Sequence, residues 1–304
     1  MMNVLNLIRW KNLLIIAFVQ ILIKYALFIP FGVEITLNWF GFSLLVLSTI
    51  CIAAAGYIIN DIYDVETDTV NRPEKVIVGQ KVTEKKANAL FLFFNFTGVL
   101  IGFYISHLVG KSSFFALFVV ISALLYIYAS YLKRMILIGN LVVSLLVALS
   151  LIIVGIFELL PVIDNQNQPS QITMFKVLLD YALFAFIINL IREMIKDIED
   201  IDGDHKSGMN TLPILIGRER ARNITFVVSL LPVFGLVYYL ANYLYMHTVI
   251  VIYFLLLIAG PLIFVSIKIF QAKSKKDYKL ISNLLKLIMV LGMLSMLLYP
   301  VILN

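Results

Sequence analysis

Two stretches of the chain carry the same spacing of carboxylates. Asn60-Asp61-Ile62-Tyr63-Asp64-Val65-Glu66-Thr67-Asp68 and Asp197-Ile198-Glu199-Asp200-Ile201-Asp202-Gly203-Asp204 both read D-x-x-D-x-x-x-D. On a helix turning about 100° per residue, offsets of 0, 3 and 7 fall near 0°, 300° and 340°. Each trio then shares a face about 60° wide wherever the helix carries through it. Glu66 and Asp202, at about 140°, and Glu199, at about 200°, point elsewhere. Three carboxylates at the mouth of an apolar helix are costly unless something cationic neutralises them. Mg2+ prefers carboxylate and phosphate oxygens and is usually held by one or two carboxylates plus substrate phosphates. The trios Asp61, Asp64, Asp68 and Asp197, Asp200, Asp204 are therefore candidate metal ligands that clamp a phosphorylated compound between them. Arg72, Lys75, Lys133, Arg134, Arg192 and Lys196 are candidates for the phosphoryl oxygens left over. A solvated acidic helix end is the alternative for either stretch alone; the repeat of one spacing argues against it for both.

The elements that position these residues are membrane helices. Of 304 residues, 62% are apolar and 14% charged, against roughly 45–50% and 25% in soluble domains. Nine runs approach the ~20 residues a bilayer requires: 12–31, 38–59, 88–109, 113–132, 136–160, 173–191, 223–244, 247–268 and 281–303. The first is of span length and lacks a small-residue cleavage site, so it is expected to remain as a span. Of the 24 basic residues, 20 lie in alternate connections, which the positive-inside rule makes cytoplasmic. The net charge of +6 is then a topology signal and not a nucleic-acid footprint. The expected fold is all-α: one integral-membrane domain over residues 1–304, a bundle of about nine transmembrane helices around a central cavity that faces the cytoplasm. Both aspartate stretches follow even-numbered spans and open to the same side. The single Cys51 excludes a disulfide and is expected to be packing. Lys24 and Lys286 fall inside spans and are expected to face water or snorkel. His205 is expected in a loop, and His107 and His247 lie at the opposite end.

These residues resemble the UbiA-type intramembrane prenyltransferases. Asn60 to Asp68 followed by Asn71-Arg72-Pro73 looks like that family's NDxxDxxxD…NRP signature. The stretch from Arg192 to Asp204, with Gly208 and Thr211-Leu212-Pro213, looks like its second aspartate-rich motif. Arg9 and Asn12 match its R-x-x-N at the first helix, with Trp10 where Pro is usual, and Leu132-Lys133-Arg134 with Gly139-Asn140 resembles its connection before the fifth helix. The second motif is most similar to the branch of digeranylgeranylglyceryl phosphate synthases. The loop after the first motif departs from the family: Val76 and Val78 replace prolines, Gln80 replaces Gly, and a looser loop is expected.

The resemblance implies a Mg2+-dependent transfer of a prenyl group, geranylgeranyl in that branch, from a polyprenyl diphosphate to a lipophilic acceptor such as geranylgeranylglyceryl phosphate. It implies catalytic roles for Asp64, Asp68, Asp200 and Asp204. The diphosphate would be bound by Arg9, Asn12, Asn60, Arg72, Lys75, Lys133, Arg134, Arg192 and Lys196. The site would open to the cytoplasm from the cell membrane. Aromatic prenylation for a quinone uses the same donor motifs. A cation or phosphate transporter is the other class that acidic membrane residues suggest, but it calls for charges at mid-membrane and not at helix ends.

Overall fold

The structure, a computed structural model, describes residues 2–299. Among the described residues the nine expected spans are nine helices: α1 Trp10–Phe28, α2 Trp39–Tyr63, α3 Glu84–Leu108, α4 Ser112–Ser130, α5 Ile138–Val162, α6 Gln168–Lys206, α7 Arg218–Leu244, α8 Thr248–Gln271 and α9 Lys275–Leu298; 300–303 of the last expected span lie outside the described residues. Their starts carry ordinary capping chemistry. Asn38 Oδ1 accepts from Gly41 N (2.9 Å) before α2. Ser274 and Asp277 form a reciprocal capping box before α9, each side chain satisfying a backbone N–H of the other.

Two apolar cores hold the bundle and share α6. Leu27 and Phe28 of α1, Leu45 of α2, Val154 and Phe157 of α5 and Leu178 of α6 belong to the first. Ile191 and Ile195 of α6 pack with Leu236, Ile258, Val265, Ile281 and Leu285 of α7, α8 and α9 in the second. The outer surface is apolar as well: Leu92, Phe93 and Phe96 on α3, Leu231 and Phe234 on α7 and Leu256 on α8 are exposed. Patches of that kind are a liability in water and the normal contact surface in a bilayer. The chain is a multi-pass membrane protein.

Three expectations are corrected. Lys24 does not snorkel: it is 2% exposed, and its Nζ donates to Glu158 Oε1 (2.7 Å) and to Leu37 O. The second Glu158 oxygen accepts from Leu37 N (3.0 Å), so the pair staples the connection before α2 to the far end of α5. The loop after Pro73 is not loosened by its valines. Val78 and Val82 pack with Leu7, Ile58 and Ala87 in a small core of their own, Val76 is also buried, and Gly79, at φ +82°, makes the turn. Apolar burial here does the work the prolines would have done by stiffness. His205 lies in the last turn of α6, exposed, because the helix runs on through the second motif. Cys51 is buried, as expected of packing.

Candidate active site

One cavity of about 400 Å³ is enclosed by α1, α2, α4, α5, α6 and α9. Its inner wall is apolar, with Ile52, Phe118, Val147, Leu151 and Met293, and its mouth is charged. The two aspartate stretches reach that mouth differently. α6 is continuous for 39 residues, so Asp197, Asp200 and Asp204 stand on one helical face as their spacing requires, and all three line the cavity. α2 stops at Tyr63. Asp64, at φ −94° and ψ 2°, turns the chain into a short helix, Val65–Asn71. Asp64 and Asp68 line the cavity, whereas Asp61 stays behind on α2 and accepts from Arg9 Nη2 at 2.7 Å.

The carboxylates are held by neighbours. Lys133 donates to Asp64, as does Asn60 Nδ2 (2.5 Å). Arg72 Nη2 lies 2.9 Å from both Asp200 oxygens and 3.1 Å from Glu199. Asn140 Nδ2 donates to Asp197 (2.8 Å), and Lys196 and Arg192 share Glu193 Oε1 at 2.7 and 3.2 Å. Asp68 lies outside the spans. Burial, together with the charges of Asp64 and Asp61, pushes its carboxyl up to about 6. Burial is the largest cause, and the nearby carboxylates add to it against the opposing charge of Arg9.

Local backbone serves this arrangement. Arg9 sits at φ +50° and Leu137 at φ +56°, both in the left-handed region that non-glycine residues rarely adopt. They flank the turns that present Arg9 and Lys133, and the Arg9 guanidinium also lies 5.0 Å from the Tyr57 ring. Gly139 lets the Leu132–Arg134 turn pack on α5, since a Cβ there would stand 2.7 Å from Lys133 Cα. Asn71 ties the two motifs together: its Nδ2 donates to Asp200 O (3.0 Å), and its Oδ1 accepts from Gly203 N (2.9 Å). Any Cβ at Gly203 would collide with Asn71, at 2.4 Å.

Arg9, Asn12, Asn60, Arg72, Lys133, Arg192 and Lys196 all line the cavity with the five aspartates. Lys75 and Arg134 are not among its lining residues; both are exposed, and the Arg134 carbonyl accepts from Asn210 N (2.9 Å). Glu66 and Asp202 are exposed, the latter 3.1 Å from Lys275. Three residues were not identified by motif reasoning. Asn71 is only one letter of a signature, Glu193 belongs to neither trio, and Lys286 of α9, expected to face water or snorkel, lines the cavity and donates to Asn12 Oδ1 (2.6 Å). Only the pairing of a lone in-span lysine with the R-x-x-N asparagine could have marked Lys286, and the two are 274 positions apart.

The family model for the UbiA prenyltransferase family matches residues 21–289. This chain belongs to the UbiA prenyltransferase family. The digeranylgeranylglyceryl phosphate synthase of Methanococcoides burtonii is 30% identical over 300 residues, 97% of this chain and 98% of its own length. That of Methanosphaera stadtmanae is 30% identical over 257 residues, 83% and 86% of the two chains. Among solved structures, a UbiA homologue from Aeropyrum pernix K1 superposes with a TM-score of 0.64 at 17% identity, covering 94% of both chains. A UbiA homologue from Archaeoglobus fulgidus, bound to DMAPP and Mg2+, gives 0.52 at 17% identity, covering 97% of this chain and 99% of that one. These likenesses establish the fold, and family membership makes the chain a prenyltransferase.

Proposed function

We propose that the chain transfers a geranylgeranyl group from geranylgeranyl diphosphate to the glycerol-phosphate ether lipid geranylgeranylglyceryl phosphate, with Mg2+ as cofactor. The observation that carries this reading is a single cavity with two aspartate motifs at its charged mouth and an apolar interior. The curated relatives, named as synthases of the doubly alkylated product, support the choice of acceptor. The donor set fits Mg2+. It consists of hard carboxylate oxygens from two elements, Asp64 and Asp68 on one and Asp197, Asp200 and Asp204 on the other. Among the described residues no three acids converge on one point, as suits ions completed by substrate phosphates. When bound, Mg2+ supplies charge neutralisation and Lewis acidity toward the departing diphosphate.

The chain's own residues divide the remaining work. Arg9, Arg72, Lys133, Arg192 and Lys196 bind the diphosphate and stabilise the charge it gains as the allylic C–O bond breaks. Ile52, Phe118, Val147 and Leu151 hold the prenyl chain and keep water from the cationic C1. The acceptor hydroxyl oxygen then bonds to C1, and its proton leaves with the diphosphate released when the C–O bond broke. The whole chain acts as one catalytic unit, since its first and last helices both line the cavity. The distribution of basic residues supports a mouth on the cytoplasmic side of the membrane.

The acceptor is tested by incubating purified protein with Mg2+, geranylgeranyl diphosphate and equal amounts of geranylgeranylglyceryl phosphate and a hydroxybenzoate, with product mass as readout. Alkylated glycerol phosphate is expected; alkylated phenol alone would overturn the acceptor and leave the donor site standing. For sidedness, a cysteine at Lys81 should label from the cytoplasmic side of sealed vesicles and one at Ser113 from the other; the reverse pattern would invert the topology.

A further inference from the structure

The cations of the mouth have acidic partners, with one exception. Arg9 pairs with Asp61, Arg72 with Asp200, Lys133 with Asp64, and Arg192 and Lys196 with Glu193. Lys286 lines the same cavity, and among the described residues it has no carboxylate partner. Its Nζ donates only to the neutral Asn12 Oδ1, at 2.6 Å. The charges that act on it most are those of Arg192 and Lys11, both positive. A part-buried ammonium beside other cations is unfavourable until an anion arrives.

The surroundings of Lys286 show what kind of anion fits. Met289, Val290 and Met293 follow it on α9 at offsets of 3, 4 and 7, and all three line the cavity. Asn12 on α1 is followed by Ile15, Ile16 and Val19 at the same offsets, also in the lining. α1 and α9 touch. Together they present two parallel stripes, each with one polar residue at the mouth and an apolar run behind it. Such a trough takes an amphiphile whose head is anionic and whose tail is hydrocarbon. No aspartate of either motif lies on these two helices, so the head needs no bridging metal there.

We propose that Lys286, oriented by Asn12, binds the phosphate monoester of the acceptor lipid and makes the enzyme prefer a phosphorylated acceptor. This subsite is separate from the aspartate-lined one that takes the donor diphosphate. The inference rests on the glycerol-phosphate reading above. One charge-assisted contact to a phosphate is worth about 10- to 100-fold in affinity.

The test is a cycle of enzyme and substrate. Wild type, Lys286→Met and Lys286→Arg are each assayed with geranylgeranylglyceryl phosphate and with its phosphate-free alcohol, at saturating Mg2+ and donor, and the donor KM is measured separately. Wild type should prefer the phosphate. Lys286→Met should lose about 10- to 100-fold in kcat/KM for the phosphate, through KM, and far less for the alcohol, with an unchanged donor KM. Lys286→Arg should keep most of the preference, and the unchanged donor KM shows that each variant is folded. Equal losses on both acceptors, a raised donor KM or a preference that survives Lys286→Met would overturn the subsite while leaving the proposed reaction intact. A wild-type enzyme that alkylates only a phenol would overturn the acceptor reading itself, and the phosphate subsite with it.

Discussion

At the residue scale, spacing separates the exposed acids Glu66 and Asp202 from the cavity carboxylates, but Asp61, on the same expected face, pairs with Arg9 and does not line the cavity. Asp64 and Asp200 line it, whereas Glu66 and Asp202 face solvent. Asp64→Asn and Asp200→Asn should each lower prenyl transfer by about 10²-fold or more, the scale of a lost catalytic metal contact. Glu66→Gln and Asp202→Asn should stay within a few-fold, and equal losses at all four in a steady-state assay would refute the assignment. Asp68 adds a pH signature. Its carboxyl, at about 6, lies above the ordinary range of an aspartate. Its effect on stability is therefore favourable below about 4 and is lost as pH rises through 6. In chelator at pH 7.5, Asp68→Asn should melt higher than wild type, with no such gain near pH 4. The Mg2+ needed for half-maximal activity in wild type should also fall as pH rises from 5 to 7, because proton and metal compete for the same oxygens. A lower melting temperature for Asp68→Asn at pH 7.5 would contradict the crowding of negative charge.

At the element scale, hydropathy reveals where helices exist but not where they end. Apolar patterning stops near Ile191, yet α6 continues to Lys206, because backbone hydrogen bonding does not require an apolar face. α2, with a similar motif, breaks at Asp64, and nothing local in its spacing distinguishes the two. The contacts that fix the difference are long-range. Asn71 bonds to Asp200 and Gly203 across about 130 positions, and such partners cannot be read from a period of 3.6. Gly203→Ala tests this tie without touching a carboxylate. Displacing Asn71 should misplace the short helix against α6 and lower kcat by up to about 10²-fold, with the melting temperature near that of wild type. Unchanged kcat would make the tie incidental.

At the scale of the molecule, the chain was legible in its helix count and in the placing of both motifs at one end, because bilayer thickness and charge alternation act on the whole sequence. The opposite end was not. Lys24 and Glu158 look like an isolated in-span lysine and a helix-end acid, and only the fold brings them to 2.7 Å, both nearly solvent-free. Breaking a buried pair by removing one partner typically costs ~3–5 kcal/mol, whereas replacing both with apolar groups often costs little. Lys24→Met should therefore lower the melting temperature in detergent markedly, and Lys24→Met with Glu158→Leu should recover much of it. If the double variant is the worse of the two, the pair is stabilising in its own right. The claim on which the whole arrangement turns is that the two motifs form one Mg2+-dependent donor site. Calorimetric binding of a non-reactive thiolodiphosphate analogue of the donor, with and without Mg2+, tests it in wild type, Asp64→Asn and Asp200→Asn. Mg2+-dependent binding in wild type that is lost in either single variant is the expected result; binding that needs no Mg2+, or that survives unchanged in one variant, would contradict a shared site.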